Sequence, residues 1–361
     1  APATIAGAKK TYADKTFACK YAILPIIKEI DKREANFEFL ITTTTLSSSN
    51  LAENELNRFD NVQHRFFPLD VDFLIKSFLK KWKPDFIFLV DSEIWPNLII
   101  NAKKNKSPLA IINARITRKS SKRWLRFRET AERIFKNIDL CLSSNRETYE
   151  FFLKFNKNVF LTGNIKLISK NYLEVKENFN EKRLIKKKIW LAASTHKNEE
   201  AFCLKAHLKL KKEFDNLITI IAPRHIVRVN EIKKICNNFN LKSQILNKDD
   251  LISDENEVII INSFGDLDQF FKIAKCVFIG KSINPKLKDQ GGQSPIDAAS
   301  LGCKIYHGPY IYNFKEIYEI LKKNNISKKI DNYEELSNNL IQDLESIEKK
   351  DNKFKNTMDS L

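Results

Sequence analysis

Short uninterrupted apolar runs punctuate the chain, each closed by a polar turn and followed by apolar residues at helical spacing. In the first half they are Phe37-Glu38-Phe39-Leu40-Ile41, Phe86-Ile87-Phe88-Leu89-Val90 and Leu109-Ala110-Ile111-Ile112. The second half repeats the habit with Ile189-Trp190-Leu191-Ala192-Ala193, Leu217-Ile218-Thr219-Ile220-Ile221, Val258-Ile259-Ile260-Ile261 and Cys276-Val277-Phe278-Ile279. Strands that are apolar on both faces and alternate with helices belong to parallel sheets covered on both sides. The fold class is therefore α/β, and the doubly wound type puts its ligands at the carboxyl ends of strands. A charged stretch after Gly163-Asn164-Ile165-Lys166 separates the two series. The expected organisation is a first Rossmann-like domain over 1–168, a link over 169–188 and a second Rossmann-like domain over 189–361. The segment after Lys322 reads as helical.

Composition narrows the classes. At 361 residues the chain exceeds what one core usually organises, and 43% hydrophobic with 30% charged residues is a globular mixture. The net charge of +17 calls for an anionic partner: nucleic acid, an anionic bilayer or a phosphorylated substrate. Lysine runs such as Lys186-Lys187-Lys188 also suit a genome rich in AAA codons, so charge alone does not choose. The six cysteines are scattered with no C-x-x-C pair, which signals neither a zinc site nor a disulfide framework and fits a reducing compartment. No apolar run reaches the roughly 18–20 residues that span a bilayer. Residues 1–18 lack the apolar centre of a signal peptide.

The chemistry-bearing segments sit where strands end. Gly291-Gly292-Gln293-Ser294-Pro295-Ile296-Asp297 follows the run ending at Ile279 and reads as a helix start, with Ser294 as cap, Pro295 in the first turn and Asp297 closing a capping box. Two glycines before it permit close backbone approach, and free amides at a helix start can seat phosphate. A capped helix with no ligand fits the same residues. Ser194 and Thr195 follow another strand, either as caps or as ligand contacts, with His196 next and Glu199-Glu200 suited to a first helical turn. Arg224 and His225 emerge after a third strand, and a guanidinium there can hold phosphate with two parallel bonds.

In the first half Asp91-Ser92-Glu93-Ile94-Trp95-Pro96-Asn97 follows the strand ending at Val90, and Glu93 can either cap the next helix or accept from a sugar hydroxyl. Asn113-Ala114-Arg115 comes next, then a run in which Arg118, Lys119, Lys122, Arg123, Arg126 and Arg128 interleave with Trp124, Leu125 and Phe127. Basic and aromatic residues mixed in this way suit a phospholipid surface or an anionic amphiphile, with nucleic acid as the competing class.

In order and spacing these segments resemble the Kdo transferases of Gram-negative bacteria over residues 23–321. The pieces that carry the resemblance are Ile41-Thr42-Thr43-Thr44-Thr45, His64-Arg65-Phe66-Phe67-Pro68-Leu69-Asp70, Ser92-Glu93-Ile94-Trp95-Pro96-Asn97, Asn113-Ala114-Arg115 and Gly163-Asn164-Ile165-Lys166. The second half adds Ala192-Ala193-Ser194-Thr195-His196, Pro223-Arg224-His225, Phe264-Gly265-Asp266-Leu267, Gly291-Gly292-Gln293-Ser294-Pro295-Ile296-Asp297 and Gly308-Pro309 with Asn313-Phe314. The resemblance implies a GT-B fold of two Rossmann-like domains facing across a cleft. It implies inverting transfer of 3-deoxy-D-manno-octulosonic acid (Kdo) from CMP-Kdo to a lipid A precursor in lipopolysaccharide biosynthesis, with no further cofactor, no metal and no nucleic acid partner. Donor binding then falls to Ser194, Thr195, Arg224, His225, Gly265, Asp266, Gly291, Gly292, Gln293, Ser294 and Asp297. Acceptor binding falls to Glu93, Asn113, Arg115 and Arg123. The implied location is the cytoplasmic face of the bacterial inner membrane, held peripherally because the family's membrane anchor is missing from the start of the chain.

One position departs from the family. A Gly-Glu pair, whose glutamate is the family's general base, is replaced by Ala18-Cys19 when the chain is aligned on Leu24-Pro25-Ile26-Ile27-Lys28. A thiol with a pKa near about 8.5 substitutes poorly for a carboxylate. A truncated or replaced start, a homologue that binds nucleotide sugar without transferring it, and a base supplied by another residue are the three explanations.

Overall fold

The computed structural model describes residues 2–6, 26–27, 29–30, 37–44, 49, 60–165, 180–184, 186–263, 265, 267–289 and 291–346. The chain divides into two compact units, Ala1–Leu173 and Glu174–Leu361. In the first, β1 (Pro2–Ala6), β2 (Glu38–Thr43), β3 (Val62–Phe66), β4 (Ile87–Val90), β5 (Leu109–Ala114), β6 (Leu140–Ser143) and β7 (Val159–Leu161) form one sheet in the order β3-β2-β1-β4-β5-β6-β7. Every pairing is parallel. In the second, β8 (Lys188–Thr195), β9 (Leu217–Pro223), β10 (Ser243–Leu246), β11 (Val258–Ile261), β12 (Cys276–Ile279), β13 (Lys304–His307) and β14 (Ser327–Lys329) are ordered β10-β11-β9-β8-β12-β13-β14, again all parallel.

Burial on both faces explains why the central strands are written as continuous apolar runs. All residues of β9, β11 and β12 are buried. Trp190, Ile260 and Phe278 pack on Leu204 and Leu210 of helix Glu199–Leu210 and on Leu336 and Leu340 of helix Tyr333–Glu345. In the first unit Leu89, Ile111 and Cys141 meet Leu98, Ile99, Ile134 and a group of rings around Phe135. Each large side chain so enclosed contributes about 1.5–3 kcal/mol relative to exposure.

The sequence reading is amended at three places. Strand β1, whose residues include a single large apolar side chain, lies inside the first sheet between β2 and β4. The described end of the anticipated link, helix Glu181–Leu184, is tied to the second unit: Asn180 Nδ2 donates to Asp250 O (3.1 Å) and Arg183 to Ile252 O (3.2 Å). The segment after Lys322 contains β14 before helix Tyr333–Glu345, so it is not wholly helical. Among the described residues no helix is long and apolar enough to cross a membrane.

Candidate functional site

The order of the second sheet reverses at β8: the chain runs outward through β9 and returns to the other side with β12. A crevice opens outside the carboxyl ends of strands at such a reversal. The loops leaving β8, β9, β12 and β13 meet there through backbone contacts. Arg224 N donates to Thr195 O (2.9 Å), which sets the start of the post-β9 loop beside the end of β8. Gly280 N donates to Ala193 O (2.8 Å), and a Cβ on Gly280 would lie 2.8 Å from Thr195 Cα, so this position requires glycine. Lys281 O accepts from Gly292 N (2.6 Å). Arg224, Thr195 and the Gly291-Gly292 turn thus share one edge of the sheet.

Glu199 stands at the centre of that edge. It is 2% exposed, and its carboxylate accepts from four amides: His196 N (2.9 Å) and Lys281 N (2.7 Å) on one oxygen, Ser282 N (2.8 Å) and Ile283 N (3.1 Å) on the other. Burial pushes its pKa up, while the four amide donors pull it back. The Ser282 hydroxyl donates to Ile279 O (2.7 Å) and accepts from Gly308 N (2.9 Å). A Cβ on Gly308 would meet Ser282 O at 2.2 Å.

The other donor-side residues fall as follows. Ser194 adopts a left-handed φ of 56°. Neither it nor Thr195 caps helix Glu199–Leu210, whose N-cap is Asn198, so the capping reading of the pair is not what the backbone adopts. His196 directs Nδ1 at Ser194 O (3.1 Å); a carbonyl only accepts, so that nitrogen carries the proton. Burial, with Lys281, His225 and Arg224 nearby, holds the His196 pKa down at about 4, so the ring is neutral. Its edge meets the His225 ring with centroids 5.9 Å apart. Arg228, four residues past Arg224, places its guanidinium across Glu200 (2.7 and 3.1 Å); Glu200 is fully buried. Glu200 thereby anchors the loop that carries Arg224 and His225.

Two details of the Gly-Gly segment differ from the sequence reading. Helix Ile296–Ser300 has five residues and begins after Pro295, so Pro295 and not Ser294 stands at the N-cap, and the Ser294 hydroxyl accepts from Ile296 N (3.4 Å). The Gly292 amide is committed to Lys281 O, so it is not an open phosphate donor. Both glycines serve close packing: a Cβ on Gly291 would lie 2.3 Å from Tyr310 O, and Gly292 has φ +86°. Gln293 O accepts from Tyr318 Oη (3.2 Å). Its Nε2, and Oγ1 of Thr195, are buried with no hydrogen-bond partner among the described residues. Asp297 sits half-buried on the short helix. Gly265 lies beyond β11, two strands from β8, with φ +89° and exposed. Asp266 lies outside the described residues.

In the first unit the loops after β4, β5 and β7 are tied together. Asp91 and Asn113 both take left-handed φ values, 63° and 55°. Asn113 Nδ2 donates to the Asp91 carboxylate, and its Oδ1 accepts from Ile165 N (3.2 Å). The structure therefore gives the amide of Asn113, 3% exposed, to bracing three loops. Arg115 N donates to Asp91 O (3.1 Å), and Glu93 is buried in the same region. Glu93 does not cap helix Pro96–Lys104. Asp70 does, accepting from Asn97 N and Leu98 N, both at 3.0 Å. Arg123 lies apart on helix Arg118–Arg126, exposed, on an element with no buried residue. Position 19 lies outside the described residues.

The bracing roles of Glu199, Ser282 and Asp70 are not legible in sequence: Glu199 reads only as an acid suited to a first helical turn, Asp70 only as part of a segment shared with the family, and Ser282 carries no signal. An acid in a first helical turn is common, and nothing local to Glu199 points to amides 82 to 84 positions away.

Comparison with known proteins adds what geometry leaves open. Along its whole length the chain superposes on a putative UDP-N-acetylglucosamine 2-epimerase from Listeria monocytogenes with a TM-score of 0.66, 11% identity and 92% of that chain covered, which shows the GT-B fold alone. The family model for 3-deoxy-D-manno-octulosonic-acid transferase (kdotransferase) matches residues 20–169. The 3-deoxy-D-manno-octulosonic acid transferase of Haemophilus influenzae is 26% identical over 306 residues, 83% of this chain and 70% of the relative. That of Rickettsia typhi is 31% identical over 320 residues, 88% of this chain and 68% of the relative. Identity at this level across both units goes beyond a shared fold, and with the strand-end segments gathered as described the chain belongs to the Kdo transferase family of glycosyltransferases.

Proposed function

We propose that this chain transfers Kdo from CMP-Kdo to a lipid A precursor with inversion, binding the donor at the rim of the second sheet. The observation that carries the donor site is the pair of buried polar atoms with no partner among the described residues, Thr195 Oγ1 at the end of β8 and Gln293 Nε2 in the turn after Gly292. A buried donor or acceptor left unsatisfied costs about 1–3 kcal/mol, and a ligand that supplies the missing bond recovers it.

Attack of an acceptor hydroxyl on the anomeric carbon of Kdo forms the new glycosidic bond and breaks the bond to the CMP phosphate. A single displacement of this kind inverts the centre. Negative charge develops on the departing phosphate, where Arg224 can hold two oxygens and stabilise it. Arg224 starts its loop beside Thr195, and Glu200 with Arg228 fixes the far end of that loop. The proton of the acceptor hydroxyl must pass to a base; the family's general-base position falls at Cys19 in this sequence, a thiol that substitutes poorly for a carboxylate, so that role is assigned to no residue.

The acceptor is a phosphorylated amphiphile, and the first unit offers a surface suited to one. Helix Arg118–Arg126 carries Arg118, Lys119, Lys122, Arg123 and Arg126, and Phe127 beyond it is 60% exposed. Each cation near an anionic leaflet is worth about 1 kcal/mol. This supports peripheral association with the cytoplasmic face of the inner membrane.

The test is incubation of the chain with CMP-Kdo and a tetraacyl disaccharide phosphate, following CMP release and the mass of the acceptor. Transfer by the native chain, with a loss of about 10²-fold or more in Arg224→Ala, is the expected outcome. Absence of both CMP binding and transfer in the native chain would refute the reading.

A further inference from the structure

We propose that Glu199 is a positioning residue of the donor site: its carboxylate holds the loop after β12 in the arrangement on which the loops after β8 and β13 and the Gly292 turn depend for binding CMP. The identity of the ligand rests on the reading above; the bracing does not.

A carboxylate offers about four lone-pair sites, and here four amides use them, two on each oxygen. A run of amides such as Lys281 to Ile283 is the kind of concavity that collects an external anion. In this chain the anion is internal. The phosphate of a donor is thereby steered to the neighbouring side chains.

Two of these residues, Lys281 and Ser282, pass the constraint on. Lys281 O accepts from Gly292 N (2.6 Å), Ser282 O accepts from Tyr310 N (2.9 Å), and Ser282 Oγ accepts from Gly308 N (2.9 Å). Lys281 itself sits at a left-handed φ of 59°, a conformation that costs a non-glycine residue about 1–2 kcal/mol and persists only when its surroundings impose it. There is no slack to absorb a change, because a Cβ on Gly280 would lie 2.5 Å from Ser194 O and 2.8 Å from the Glu199 carboxylate. One side chain on helix Glu199–Leu210 therefore sets the relative positions of Thr195, the Gly291–Gln293 turn and the loop after β13. In Glu199→Gln the amide group would turn its own N–H atoms toward two of the four donors.

The experiment is calorimetric titration of CMP into the full chain, native and as Glu199→Gln, Glu199→Asp and Ser282→Ala, with circular dichroism to establish folding. CMP affinity should fall by about tenfold or more in Glu199→Gln and recover in part in Glu199→Asp, which keeps the charge. Ser282→Ala removes one of the bonds passed on and should weaken CMP by a smaller factor. A folded Glu199→Gln chain that binds CMP as the native chain does would overturn the proposal, since a merely structural role would lower melting temperature alone. Should Glu199→Gln fail to fold, unchanged CMP affinity in Ser282→Ala overturns it instead. If the native chain binds no CMP, the donor reading fails. Hydrogen exchange at Gly292 and Gly308 then decides the bracing, which is refuted if Ser282→Ala leaves Gly308 as protected as before.

Discussion

His207 offers a test of the second unit's interior by acidification. It lies on the inner side of helix Glu199–Leu210, fully buried, with Nδ1 2.7 Å from Thr219 Oγ1 on β9 and Nε2 without a hydrogen-bond partner among the described residues. Burial, the dominant cause, pushes its pKa down to about 4; Glu257 opposes and Lys211 assists. The folded pKa is thus below the unfolded value of about 6.5. Below that value the unfolded chain binds the proton more readily than the folded one. The stability this ring contributes is therefore present above pH 6.5 and lost as pH falls toward 4. With those two values the loss between pH 7 and pH 5 is about 2 kcal/mol for this ring alone. His196 and His307, also held near 4, contribute losses of the same sign, so the native chain falls further in total. The assay is urea unfolding at pH 7 and pH 5 for the native chain and His207→Gln, a replacement that can still bond Thr219. Trp190 is the one tryptophan of the second unit and lies fully buried on β8, so its signal identifies the relevant transition. The variant should lose about 2 kcal/mol less than the native chain over that interval. An equal loss in both would show that His207 is not the buried neutral base described here.

Two further substitutions probe the braces around the rim. Arg228→Ala leaves the fully buried Glu200 carboxylate without its guanidinium and should cost about 3–5 kcal/mol, read as a lowered melting temperature, with the double variant Glu200→Gln/Arg228→Ala less affected than Arg228→Ala. Gly308→Ala must displace the Ser282 backbone and should destabilise more than Gly163→Ala, which meets nothing within 4 Å and bears only the cost of its φ of +77°, about 1–2 kcal/mol. Equal melting temperatures for these two alanine variants would contradict the close approach at Gly308.

The parts of this fold that were legible in sequence are those whose cause is local. A strand buried on both faces is apolar at nearly every position, so β5, β9, β11 and β12 announce themselves even though Asn113 and Thr219 interrupt the first two. Strands at the edges obey no such demand: β3 alternates between half-buried and exposed, and β14 has three residues of which two are exposed. Residues 2–6 carry no local sign that they form the strand between β2 and β4. At the rim the same division holds. Arg224, Thr195 and the Gly-Gly turn could be assigned to strand ends from the sequence, because chain direction alone puts them there. Their joining depends on Glu199 reaching residues more than eighty positions away; within the first unit, Asn113 accepting from Ile165 N plays the corresponding part. Polar side chains of this kind satisfy backbone groups that loops would otherwise leave exposed or unpaired. Any Asp, Glu or Asn near a strand end is a candidate for the task, which is why spacing does not reveal the one that performs it. The residues that contact ligand and those that hold the contacting loops are thus chemically alike in sequence, and the distinction becomes visible only when each lone pair is traced to its donor.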